Sequence, residues 1–209
     1  LDRERVLRPN TDSMSGSFLG PEYSQNEIVT RLNASGAIFK ELTDQDVATY
    51  TATALATGKS VGWHQGRMEF GPRALGSRSI LADPRSPTVQ KRLNLQVKKR
   101  ESFRPFAPSV LREDVSEWFD LSTDSPYMLL VTGVASSKLS QASLADSEKT
   151  GIARLEVQRS VIPAVTHVDN SARVHTVARD VNPRYHALLT EFKAQTGCPV
   201  LVNTSFNVR

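Results

Sequence analysis

The chain has 209 residues, 39% of them hydrophobic and 23% charged, which suits one large globular domain and excludes a low-complexity or polyelectrolyte segment. Lys plus Arg outnumber Asp plus Glu by 26 to 22, a net charge of +4 that weakly favours anionic ligands without making a polybasic tail. The lone Cys198 allows no internal disulfide, and no apolar run is long enough to span a bilayer or to act as a secretory signal, so a reducing, cytoplasmic setting is expected.

Residues 1–23 mix charge, Ser, Gly and Pro without a period and are expected to form an irregular arm that orders only against a partner surface. Ser24 with Glu27 makes a capping box ahead of Ile28 and Leu32, and Gly36 is a stop, which predicts a helix over 24–35. AIFKEL (37–42) reads as a short strand. Thr43 or Asp44 caps a second helix through Val47, Tyr50, Thr51 and Leu55 to Gly58, and SVGWHQ follows as a strand. Ser86-Pro87 starts a helix that turns Val89, Leu93 and Val97 inward, after which Pro105 and Pro108 bracket a strand around PSVLRE. PYMLLVTGV reads as a strand, and VASSKLSQASLADSEKTG as a polar surface loop. SVIPAVTHV and ARVHTVA follow as strands. Tyr185, Leu188, Leu189 and Phe192 then mark a helix closed by Gly197, and PVLVNTSF is a last, buried strand running into a polar turn. No internal repeat is present, so the order of elements predicts one mixed α/β domain.

Arginine and glycine are concentrated between Gly62 and Arg104: Arg67, Arg73, Arg78, Lys98, Arg100 and Arg104 are interleaved with Gly66, Gly71, Pro72 and Gly76. Guanidinium forks match phosphate oxygens and glycine lets a backbone approach a ligand, so phosphate is the first suspect. Taken alone, the KKR run Lys98–Arg100 is equally a basic helix end answering the dipole or an anion cradle. The NTSFN turn, with Asn203, Thr204, Ser205 and Asn207 after a buried strand, is either a satisfied turn or a donor set for phosphate or carboxylate. Glu69 either orients an arginine or is exposed; Arg67 and Arg85 have Glu69 and Asp83 within pairing range. His64, His167, His175 and His186 lack metal-ligand spacing, and Cys198 belongs to the core. Trp63, Phe70, Phe103 and Phe106 flank the basic stretches and are read mainly as core. Strand alternation points Arg173, His175 and Val177 to one face, adding a further cation.

Lys98-x-Arg100 and Ser205-x-Asn207 reproduce the KxR and SxN signature of the YrdC-like nucleotide-binding fold. FLGPEYS, GWHQGRMEFGPRALGSRSILADPR, KKRESFRPFAPSVL, SPYM, IPAVTHVDNSARVHTV and LVNTSFN, in that order over nearly the whole chain after the arm, resemble the C-terminal, YrdC-like half of the O-carbamoyltransferases of antibiotics and nodulation factors. His175 departs from that pattern, where the strand usually reads RVQTV.

The resemblance implies an open, twisted, mixed sheet flanked by helices over residues 24–209, as part of a longer protein whose metal-bearing, actin-like ATPase-type N-terminal domain is not in this chain. It implies that carbamoyl phosphate and ATP, with Mg on the ATP phosphates, form carbamoyl adenylate for transfer to a substrate hydroxyl. Lys98, Arg100 and Ser205 would handle the reacting phosphates, with Arg73, Arg78, Arg104, Arg173 and Asn207 completing the nucleotide and carbamoyl phosphate site. The rival readings are a nucleic-acid-binding module and a non-catalytic regulatory domain. Cations punctuated by glycine and proline fit a compact pocket better than a nucleic-acid track.

Overall fold

The computed structural model describes residues 12–144, 154, 155 and 157–207. Among them a six-stranded mixed sheet runs in the order β1-β2-β6-β3-β5-β4, with β1 Val61–His64, β2 Arg78–Ala82, β3 Ala107–Leu111, β4 Leu130–Gly133, β5 Ser171–Val177 and β6 Val200–Ser205. Only β3 and β5 pair in parallel; every other neighbour is antiparallel. The last strand of the chain is therefore central, between β2 and β3, and Val200, Leu201 and Val202 are fully buried in it.

One face is covered by α2 Asp44–Ala56 and α6 Pro183–Thr196, which pack on each other. Thr43 accepts a bond from the Asp46 N–H at the start of α2. Asn182 caps α6, with Pro183 in the first turn and Gly197 left-handed at its end. The stripe Tyr185, Leu188, Leu189 and Phe192 is completely buried against the sheet and α2. A shorter helix, α3 Val89–Arg92, continues as a widened π turn over Leu93–Lys98. Two short helices, α4 Val115–Trp118 and α5 Gln141–Leu144, follow, while α1 Gln25–Ala34 carries both halves of the Ser24–Glu27 capping box and buries no residue. No helix among the described residues is long and apolar enough to cross a membrane.

Three local expectations are corrected. AIFKEL forms no strand: it has no repetitive structure and pairs with no strand, and Ile38 is wholly exposed. SVIPAVTHV also forms no strand, because Pro163 lacks a ladder donor and nucleates a tight helical turn, Pro163–Val165. Val97 points outward, 42% exposed, because the π turn adds a residue per turn and rotates it off the face that buries Val89 and Leu93. Strand β2 was hidden inside the glycine-rich stretch. Residues 1–11 of the predicted arm and 145–151 of the predicted loop after β4 lie outside the described residues.

Phe192 joins both helices to the sheet. Phe192→Ala is expected to lower unfolding free energy by about 3–5 kcal/mol, read as a shifted urea midpoint.

Candidate functional site

Between β1 and β2 the chain has no repetitive structure, and side chains satisfy its backbone instead. Glu69, 6% exposed, accepts through Oε1 from the N–H groups of Leu75 (2.7 Å), Ser77 (2.8 Å) and Arg78 (3.2 Å), and through Oε2 from Arg78 (3.1 Å). The Gly76 N–H donates to Ser79 Oγ at 3.1 Å. The carbonyls of Ala74, Leu75 and Gly76 accept from Asn203 (2.9 Å), Asn182 (3.3 Å), and Trp63 with Gln65 (2.9 and 2.7 Å). Gly76 has φ +95°, and a methyl group there would run into the Tyr185 ring, so only glycine fits.

The arm lies along this loop. Ser17 and Phe70 exchange bonds, Gly20 N–H reaches the Met68 carbonyl at 2.9 Å and Met68 N–H reaches Pro21 at 3.0 Å, so the partner surface that residues 12–23 need is the chain's own loop. Arg67 pairs with Glu22 at 3.5 Å rather than with Glu69, whereas Arg85 and Asp83 form the expected pair at 2.7 Å.

The predicted cations gather at one end of the sheet, where β2, β3 and β5 begin and β6 ends. Arg73 directly precedes Ala74, which is tied to Asn203 of β6. Arg173 lies opposite Val131 in β5, two residues before His175, which pairs with Ser109 of β3. The two guanidinium groups are electrostatic neighbours: burial first, then Arg73, depresses the pKa of Arg173. Nε of each is buried without a hydrogen-bond partner, and neither pairs with a carboxylate among the described residues.

Lys98, Ser205 and Asn207 meet as well. Lys98 Nζ donates to the Ser205 carbonyl, to Ser205 Oγ at 3.2 Å and to Asn207 Oδ1 at 3.3 Å, and Ser205 Oγ donates to Asn207 Oδ1. The KxR and SxN segments therefore touch across more than 100 residues, through Lys98 among the described residues. Lys99 at φ +49° turns the chain, and Arg100 swings to Asn94 Oδ1 at 2.6 Å with its guanidinium 4.9 Å from the Phe106 ring centroid. Arg104 is exposed beside Glu101 at 4.0 Å and close enough to contribute, after burial, to a lowered Arg100 pKa. Arg78 is committed to backbone: its guanidinium donates to the carbonyls of Gln65 (2.6 Å), Ser77 (2.9 Å), Gly66 (3.0 Å) and Pro21 (3.4 Å). Trp63 and Phe106 are core as expected, but Phe70 and Phe103 are exposed.

Sequence reasoning missed the asparagines that build these turns. Asn94, fully buried, also donates to the Ser102 (3.0 Å) and Arg104 (2.8 Å) carbonyls; its one signal was a poor helix former inside a helical run. His175, 4% exposed, lies in the core with Nδ1 2.8 Å from Ser109 Oγ and its ring stacked on Tyr185. Burial pushes its pKa down to about 3. Cys198 is buried, and its thiol is pushed up to about 12 by that burial.

An open mixed sheet flanked by helices, carrying arginine and lysine at one end, is the class of domain so defined. The chain belongs to the carbamoyltransferase C-terminus family, whose model matches residues 52–209. It is 52% identical over 211 residues to an uncharacterized protein of Synechocystis sp., and 43% identical over 194 residues to nodulation protein NolNO of Sinorhizobium fredii. It is 41% identical over 182 residues to 3'-hydroxymethylcephem-O-carbamoyltransferase of Amycolatopsis lactamdurans. These alignments take in 100%, 91% and 83% of this chain but 34%, 26% and 31% of the relatives, so the chain spans about a third of their length.

His175 supplies a pH signature. The folded chain keeps it neutral down to about 3, while the unfolded chain protonates it near 6.5, so unfolding takes up a proton between those values. Its contribution is complete above pH 6.5 and is lost as pH falls toward 3, at up to about 1.4 kcal/mol per pH unit. His175→Gln should flatten that part of the stability–pH curve, measured by urea titration at successive pH values.

Proposed function

We propose that this domain binds ATP and carbamoyl phosphate and forms carbamoyl adenylate, as the C-terminal part of an O-carbamoyltransferase that carbamoylates a hydroxyl of a small molecule or sugar. The observation that carries this reading is that Arg73 and Arg173, whose charges act on each other, each hold a buried, unpartnered Nε–H donor and have no carboxylate partner among the described residues. Leaving such donors unsatisfied costs about 1–3 kcal/mol each, and a phosphate bridging both groups repays that cost with charge-assisted bonds.

The balance is simple. Carbamoyl phosphate and water give carbamate and phosphate; a carbamate oxygen then attacks the α-phosphorus of ATP, and pyrophosphate leaves. Two polyanions must be held together while charge builds on the phosphoryl oxygens, so converging cations supply most of the rate by positioning and electrostatics. In this reading Arg73 and Arg173 grip phosphate, and Lys98 exchanges its bonds to Ser205 and Asn207 for bonds to the nucleotide. Arg100 leaves Asn94, and Arg104 turns inward, when anion is bound. Arg78 acts by holding the loop. Magnesium, bound by the ATP phosphates themselves, would supply further charge neutralisation there. Transfer to the acceptor hydroxyl, the activity named for the Amycolatopsis relative, falls to the preceding actin-like ATPase-type domain implied by the resemblance.

Calorimetric titration tests the assignment. The chain should bind a non-hydrolysable ATP analogue and carbamoyl phosphate, and Arg173→Ala or Ser205→Ala should each weaken binding by about tenfold. Salt-sensitive binding to oligonucleotides with no response to either small molecule would replace this reading with the nucleic-acid one.

A further inference from the structure

We propose that Glu69 is a positioning residue for phosphate binding: its buried carboxylate shapes the loop from which Arg73 projects and so sets that guanidinium beside Arg173. The inference rests on the phosphate-binding reading above. It deepens that reading by naming what holds the arginine pair in place.

A buried carboxylate is expensive unless its lone pairs are filled, and those of Glu69 are filled by the backbone N–H groups of Leu75, Ser77 and Arg78, with no cationic side chain bonded to it among the described residues. Three N–H groups converging on one carboxylate make the backbone concave around it. Residues 70–74 are the span that this contact closes from Glu69 to Leu75, and Arg73 lies in it, held on its N-terminal side by the fixed φ of Pro72. Asn203 anchors the same span through the Ala74 carbonyl at 2.9 Å.

The charge of Glu69 also matters. It attracts the Arg78 guanidinium, whose donors are already spent on four carbonyls, so Arg78 adds little uncompensated charge to the loop. Arg73 is left as the loop cation that faces Arg173. Glutamine is no substitute, because its NH₂ group would meet the Arg78 N–H where the second carboxylate oxygen now accepts.

A double-mutant cycle separates positioning from general support of the fold. Carbamoyl phosphate and a non-hydrolysable ATP analogue are titrated calorimetrically into the native chain, Glu69→Gln, Arg73→Ala and the double variant, each checked by a circular-dichroism melt. Glu69→Gln should weaken binding by about tenfold in the native background but by less than about twofold once Arg73 is alanine. Glu69→Asp keeps the charge but shortens the reach, and should show the same dependence on Arg73 if the glutamine variant does not fold. Equal losses in both backgrounds, or no loss in either, overturn the proposal. A native chain that binds neither probe overturns the phosphate reading with it. Native binding that Arg73→Ala weakens and Glu69→Gln leaves intact overturns the positioning role alone.

Discussion

The structure turns on one buried carboxylate. Glu69 takes the N–H groups that a loop without helix or strand cannot satisfy internally, and side chains from β1, β6 and the start of α6 take the matching carbonyls. Without that arrangement the stretch between β1 and β2 would carry buried, unpaired backbone groups, each costing about as much as a typical hydrogen bond is worth. With it, the backbone groups of an irregular segment find side-chain partners in place of a ladder.

That frame sorts the basic residues into two kinds. Arg78, Arg85 and Arg100 are spent within the chain on carbonyls, on Asp83 and on Asn94 with Phe106. Among the described residues Arg73 and Arg173 have no carboxylate or carbonyl partner, and the fold carries their mutual repulsion. Composition treats all of them alike; only partners distinguish a structural arginine from one held ready for an anion.

Elements with a strong period and clear punctuation were legible in the sequence: α1 from its capping box, α2 and α6 from caps and apolar stripes, β5 and β6 from alternation and continuous apolarity. AIFKEL and SVIPAVTHV were misread because a strand needs a neighbour to pair with, which local pattern does not encode, and because Pro163 forbids the pairing. Of the site, the KxR and SxN segments could be named in advance and do meet, through Lys98. Local sequence carried only weak marks of the residues that build the turns: Asn94 stood as a poor helix former in a helical run and Asn203 in a polar turn, while the backbone partners of Glu69 and Asn182 take up their positions only on folding.

The anchoring of the glycine-rich loop also sets a timetable. Asn203, which holds the Ala74 carbonyl, belongs to the strand that enters the sheet last in chain order yet occupies its middle. A nascent chain emerging from the ribosome would have β1, β2 and the loop in hand long before their clasp arrives, and closing that separation is slow because distant contacts must form together. Arg73 and the loop that carries it would thus stay unorganised until β6 has been synthesised.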